Sequence, residues 1–321
     1  MTSYRGVIPP ICTPFTADGG IDEDSLHRIV EFQLDAGAAG IFVLGSSGEV
    51  VYLSDRDRLR VLRIAAAAVR GRVPLLVGAL APTTNRVIQQ LDMLAGHGAD
   101  AFVVTAPFYA AMSQLEILQH FRMAAAAASA PVLAYDIPGN VGYKLSPVVA
   151  VELLADATLA GLKDSSGEVE VFTQIAAALG PERGAAMLSG ADTTALLALH
   201  GGADGLIPGL SNIRPDLFVA LLRAHRDAST AEAEALQRGV SRLNQIFGIG
   251  TKYGLGRHAA EIGALKHILG ERGVIQTTRP AAPLEPFPAA ARDEATALMH
   301  AVDATLAADL AESSKAGTTH V

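Results

Sequence analysis

A chain of 321 residues, half of them hydrophobic and only 18% charged, can bury a sizeable core and suits one α/β barrel with an appendage. The formal net charge of −8 argues against nucleic acid or an anionic membrane as a partner, since either would be repelled overall. No apolar run reaches the length of about eighteen residues that a membrane span needs, and Met1 to Pro10 lacks the long apolar region of a signal peptide. Cys12 is the single cysteine, which excludes an internal disulfide and a thiolate zinc cluster and fits a reducing cytoplasm.

Eight short apolar runs bounded by turn residues follow in order: Val7 to Ile11, Gly40 to Leu44, Pro74 to Val77, Ala101 to Thr105, Val132 to Tyr135, Ala160 to Leu162, Ala186 to Leu188 and Gly205 to Ile207. They alternate with helical patterns such as Ser25 to Ala36, Asp55 to Val69, Thr84 to Ala95, Ser113 to Ala128 and Asp192 to His200. Runs that are apolar throughout suit strands buried on both faces, and eight of them fit a closed parallel (β/α)8 barrel better than an open doubly wound sheet, which is the alternative. Glycines in the segments 35–40, 96–100 and 200–205 read as helix stops before a tight turn into the next strand. After Arg226 the strands cease. Thr230 to Phe247, Lys252 to Leu269 and Ala289 to Leu310 predict a three-helix appendage, with the proline-rich Pro280 to Pro288 as its connector. The expected division is a barrel over 1–226, a helical domain over 227–311 and a flexible polar tail over 312–321.

In a parallel barrel, chemistry belongs at the C-terminal strand ends. Those positions hold Gly45-Ser46-Ser47-Gly48-Glu49 after the second run, Tyr109 after the fourth, Tyr135-Asp136 at the fifth, Lys163 at the sixth and Ser189-Gly190-Ala191-Asp192 after the seventh. Burial disfavours a lysine ammonium, and the free amine is the form that attacks a ketone to make a Schiff base. The plainer reading of Lys163 is the first solvated residue after a strand. Gly45 and Gly48 around Ser46 and Ser47 let backbone N–H groups and hydroxyls converge on a small anion, or form an ordinary turn. Tyr135 could be core, and Asp192 could be a helix N-cap.

Other motifs lead nowhere. Gly254-Leu255-Gly256-Arg257-His258-Ala259 resembles a dinucleotide fingerprint only superficially, because it follows no strand. The nine histidines are scattered without a His-Glu-x-x-His pair, so neither a metal nor another cofactor is expected.

The ordered set Gly45-Ser46-Ser47-Gly48-Glu49, Tyr109, Tyr135-Asp136-Ile137-Pro138, Gly161 to Gly167, Ser189-Gly190-Ala191-Asp192 and Gly202-Ala203-Asp204-Gly205 resembles the dihydrodipicolinate synthase and N-acetylneuraminate lyase family of Schiff-base aldolases over residues 5–300. The resemblance implies a TIM barrel with a C-terminal helical domain, and Lys163 as the lysine forming an imine with pyruvate or another 2-oxo acid. It implies Tyr135 as the proton-transfer residue, and Ser46 and Ser47 as the hydroxyl pair that holds the pyruvate carboxylate and relays a proton. Tyr109 matches a tyrosine that reaches a neighbouring subunit's site, which suggests a homotetramer built as a dimer of dimers, and Ile207 matches a residue of the pyruvate pocket. Asn140 stands where dihydrodipicolinate synthases carry an arginine for aspartate semialdehyde. Ser165 and Asp192 match hydroxyl-recognising residues of N-acetylneuraminate lyases, while Thr193 replaces their glutamate. The expected activity is therefore a class I aldolase that cleaves a 4-hydroxy-2-oxo acid to pyruvate and an aldehyde. Dihydrodipicolinate synthase, a hydratase or dehydratase of the same family, and a non-catalytic metabolite-binding member are the alternatives.

Overall fold

In the computed structural model, which describes residues 4–318, the eight expected strands are present: β1 (Gly6–Val7), β2 (Ile41–Val43), β3 (Leu75–Gly78), β4 (Ala101–Thr105), β5 (Val132–Asp136), β6 (Gly161–Asp164), β7 (Ala186–Ser189) and β8 (Gly205–Leu206). All neighbours pair in parallel in the order β1-β8-β7-β6-β5-β4-β3-β2. The ring closes where Pro10 bridges Phe42: the Ile11 N–H donates to the Phe42 carbonyl and the Phe42 N–H to the Pro9 carbonyl, both at 2.9 Å. No open edge remains, which settles the choice between barrel and open sheet.

Alternation along each strand sorts the side chains into two layers. Phe42, Leu76, Val103, Leu133, Tyr135, Leu188 and Ile207 fill the barrel interior, while Ile41, Val43, Val77, Val104, Ala134, Leu162 and Leu206 face the helices. Both faces are therefore buried, as near-continuous apolarity predicts. Because Leu162 points outward, the next residue, Lys163, points inward.

Outside the sheet lie α1 (Glu23–Asp35), α2 (Asp55–Val69), α3 (Thr84–Leu94), α4 (Gln114–Ala127), the single turn α5 (Pro138–Val141), α6 (Pro147–Ala155), α7 (Val169–Leu179), α8 (Ala195–His200) and α9 (Pro215–Arg226). The first four open on Asp22, Ser54, Thr83 and Ser113, whose side chains accept from first-turn N–H groups. Ser113 and Glu116 complete a reciprocal capping box. The helix expected over Asp192 to His200 is divided, with a tight turn over Asp192–Thr194 preceding α8.

Beyond α9, among the described residues, stand four helices rather than three: α10 (Thr230–Leu243), α11 (Ile246–Lys252), α12 (Arg257–Glu271) and α13 (Ala289–Thr318). The predicted segment ending at Phe247 bends after Leu243. The short α11 forms because burial of Ile246 and Ile249 outweighs the weak helix preference of Gly248 and Gly250. Helix α13 runs to Thr318, well into the 312–321 segment expected as a tail, since extending an existing helix needs no new nucleus. The last three residues, 319–321, lie outside the described residues. No described helix is long and apolar enough to cross a membrane.

A buried ion pair helps fasten the helical region to the barrel. Glu49, in the loop after β2, pairs with Lys266 of α12, and both side chains are 0% exposed. Lys266 also donates to the Arg279 carbonyl at 2.9 Å and lies 4.2 Å from the centroid of the Phe15 ring, while Glu49 Oε2 accepts the Ala281 N–H at 2.6 Å. Burial pushes the Lys266 ammonium below its ordinary range, and the Glu49 charge and hydrogen bond pull it back. Removing one partner strands the other charge, so Lys266→Met should lower the unfolding free energy by about 3–5 kcal/mol. Filling both positions with apolar residues, in Glu49→Leu/Lys266→Met, should restore most of that loss in urea melts. A single variant within about 1 kcal/mol of wild type would contradict this account of the pair.

Candidate active site

Alternation brings Lys163 into the barrel, and register decides what it meets. Its Cα pairs with Tyr135 of β5 on one side and Leu188 of β7 on the other. The side chain is 3% exposed, with Nζ 3.8 Å from the Tyr135 ring centroid and 4.9 Å from that of Phe42. No described residue lies within ion-pair distance of it. Lys163 is thus a buried amine framed by aromatic faces, not the first solvated residue after a strand.

Behind this pair sits a charged brace that the sequence does not reveal. Lys144, in the loop after α5, pairs with Asp136 at the end of β5 and with Asp164 at the end of β6, the latter at 2.9 Å. Asp136 also accepts the Leu145 N–H at 3.2 Å, and Asp164 accepts the Ser166 N–H at 2.7 Å. Burial raises the Asp136 carboxyl, with Lys144 offsetting part of the rise. For Lys144 burial acts the other way, but Asp164 and Asp136 together hold its ammonium above the ordinary lysine range. The brace ties together the two strand ends that carry Tyr135 and Lys163. Tyr143-Lys144-Leu145 belongs to no pattern, so only the fold identifies it.

The loop after β2 supplies Ser46 and Ser47 to the wall of the cleft, and neither hydroxyl has a described hydrogen-bond partner. Gly48 follows them in the loop: its carbonyl accepts the Thr13 hydroxyl at 2.7 Å, and a Cβ there would lie 3.2 Å from the Leu44 nitrogen. Ser165, Ile207, Asp192 and Asn140 do line the cleft with Lys163 and Tyr135. Asp192 makes no N-cap bond. Its Oδ1 accepts the Leu210 N–H at 3.0 Å, and burial pushes its carboxyl up to about 6 against the pull of that bond and of Lys163.

Tyr109 is not on this wall. It is fully exposed and takes a left-handed φ of 81°, beside a second recess of about 270 Å³ lined by Val51, Tyr52, Phe108 and His258. The main cleft, of about 330 Å³, is roofed by residues that sequence reasoning missed, among them Phe247, Arg257, His258 and Glu261 of the helical region. Arg257 and His258 belong to the stretch set aside as a false dinucleotide motif. Among the described residues no three His, Cys, Asp or Glu side chains gather as metal ligands.

Packing around the lysine is tight at one glycine. A Cβ on Gly190 would fall 2.1 Å from Ser165 Oγ and 2.9 Å from Lys163 Cε. Gly190→Ala should therefore displace the lysine and lower turnover roughly 100-fold while the fold survives, as circular dichroism and steady-state kinetics would report. Unchanged turnover would mean that the Lys163 position is not critical.

The sequence profile of the dihydrodipicolinate synthetase family matches residues 3–302. The chain is 34% identical to an uncharacterized DapA-like lyase of Halobacterium salinarum, over 82% of this chain and 87% of that protein. It is also 34% identical to a 4-hydroxy-tetrahydrodipicolinate synthase of Salinibacter ruber, over 72% and 76%. A probable 2-dehydro-3-deoxy-D-pentonate aldolase of Escherichia coli is 28% identical over 79% and 85%. The crystal structure of YagE, a prophage protein of the dihydrodipicolinic acid synthase family from Escherichia coli in complex with pyruvate, superposes with a TM-score of 0.86 at 26% identity, covering 94% of this chain and 99% of that one.

Proposed function

The chain belongs to the dihydrodipicolinate synthetase family of lyases, and from that premise we propose that it is a class I aldolase that cleaves a 4-hydroxy-2-oxo acid to pyruvate and an aldehyde. One observation carries the reading: a buried lysine in no direct ion pair among the described residues, held between aromatic faces, opens on a cleft whose serine hydroxyls are uncommitted. The pyruvate complex of YagE and the aldolase name of the Escherichia coli relative support it.

In this reading Lys163 Nζ adds to the 2-oxo carbon, and loss of water leaves an iminium. The Ser46 and Ser47 hydroxyls hold the substrate carboxylate as neutral donors. The bond between carbons 3 and 4 then breaks, its electron pair passing into the iminium to give an enamine. The 4-hydroxyl proton leaves as the aldehyde forms, accepted through Tyr135 with Ser46 as relay, and Ser165 steadies that hydroxyl. Return of a proton to carbon 3 and hydrolysis of the imine release pyruvate and regenerate the amine. Tyr109 of a second copy completes the relay, and the assembly is a homotetramer in the cytoplasm. The barrel over 1–226 carries the chemistry and the helices beyond it close the cleft.

The second reading, condensation of pyruvate with aspartate semialdehyde, is favoured by the name of the Salinibacter ruber relative. Asn140 opposes it, because a neutral amide gives a carboxylate roughly half the hydrogen-bond strength of a guanidinium. Borohydride with pyruvate should fix one adduct on Lys163, lost in Lys163→Ala, and cleavage across a panel of 4-hydroxy-2-oxo acids should exceed semialdehyde condensation in kcat/KM. An adduct elsewhere overturns the Schiff base, and efficient condensation without cleavage establishes the synthase instead. For the assembly, light scattering should find active protein only as a dimer or larger, and Tyr109→Phe should lower kcat without dissociating it. A fully active monomer would exclude the shared relay.

A further inference from the structure

We infer that Lys144 is a positioning residue for imine formation: its ammonium, bound by Asp136 and Asp164 at once, holds the ends of β5 and β6 at the separation that sets Tyr135 against the Lys163 amine. The inference rests on the Schiff-base reading of the same cleft and adds to it a residue that acts through others. Tyr135 with Lys163 and Asp136 with Asp164 are successive rungs of one parallel ladder. Neighbours along a strand point to opposite faces, so the first rung enters the barrel and the second leaves it. A shift at the outer rung therefore reaches the inner one across a single peptide unit in each strand.

Without a cation the outer rung would be driven apart. Asp136 and Asp164 are register partners whose side chains are each 3% exposed, and two carboxylates so placed repel with little water to screen them. Lys144 donates to Oδ2 of both, while the Oδ1 atoms accept the Leu145 and Ser166 N–H groups, so all four carboxylate oxygens have partners. The same residue fixes the return of the loop after β5. Its carbonyl accepts from Gln114 Nε2 at 2.9 Å, and Gln114 Oε1 accepts the Ser146 N–H at 2.9 Å. That loop carries Ile137, Gly139 and Asn140 on the cleft wall. Stability alone does not call for this arrangement, since apolar side chains of similar volume commonly replace a buried ion pair or triad without loss. What they lack is a directional tether, and here one nitrogen ties two strand ends and a cleft loop together.

The test follows imine formation directly on the full chain: the protein is mixed with pyruvate at several concentrations, quenched with borohydride at set times, and the Lys163 adduct is read by intact mass. Lys144→Met should lower the maximal rate about 100-fold, the loss that a misplacement of about 1 Å brings, and change the half-saturating pyruvate less than about threefold. Lys144→Arg, which keeps a charge able to reach both carboxylates, should recover part of the rate. Asp136→Asn/Lys144→Met/Asp164→Asn removes all three charges and keeps the Oδ1 acceptors, so its urea midpoint should return towards wild type while imine formation stays slow. Recovery of the rate together with the stability would mark a merely structural lysine and overturn the inference, as would a Lys144→Met rate within about threefold of wild type. Should Lys144→Met fail to fold, the triple variant decides by itself: slow imine formation upholds the inference and a wild-type rate overturns it. The wild-type protein separates the two levels. With no adduct on Lys163 the aldolase reading itself fails; with an adduct that forms equally fast in wild type and variants, that reading stands and only the role of Lys144 is lost.

Discussion

The buried pair between Glu49 and Lys266 is the contact on which the geometry of the cleft depends. Two charges removed from water are tolerable only when each satisfies the other and the remaining polar capacity finds partners, and here backbone groups of Arg279 and Ala281 supply them. The pair joins the loop bearing Ser46 and Ser47 to the helix bearing Arg257 and Glu261. Neither can shift far without stranding a charge, so the barrel side and the helical side of the cleft are held in register by electrostatics as well as by apolar packing. Cys12 lies beside this pair, and burial pushes its thiol up to about 12, which keeps it a small apolar filler and not a reactive thiolate.

A second constraint acts inside the sheet. Parallel pairing sets Tyr135 against Lys163 and Asp136 against Asp164, so one register produces two opposite environments. The inward pair forms an aromatic and amine surface open to the cleft. The outward pair brings two carboxylates together that would repel one another, and Lys144 bridges them and offsets that repulsion. A slip of one residue would send the amine outward and a carboxylate inward. The proposed chemistry therefore depends on the same hydrogen bonds that close the barrel.

Strand and helix types could be read in the chain because each run carries its own period and stop signals. Val132 to Tyr135 and Ala101 to Val104 are apolar at every position, as strands buried on both faces tend to be, and Ser113 with Glu116 announces a helix start. The reading failed where local signals were weak. Nothing between Arg242 and Phe247 marks the bend after Leu243, and the run of good helix formers after Ala289 carries no stop strong enough to end α13 at Glu312. In the candidate site, residues at strand ends were legible because a parallel barrel gives those positions a common destination.

The sequence by itself determined the alternation of strands and helices, the count that closes a barrel, and the strand-end set of Ser46, Ser47, Tyr135, Lys163 and Asp192, because these follow from short-range periodicity and chain order. Only the tertiary structure decided that Lys144 stands between Asp136 and Asp164, that Lys266 answers Glu49, and that Arg257 and Glu261 roof the cleft. These partners are separated by eight to more than two hundred residues, as with Lys144 and Asp136 or Lys266 and Glu49. No local pattern couples such positions; they meet because closing the barrel and docking the helices bury the apolar faces, and the charges left between those faces must then be paired.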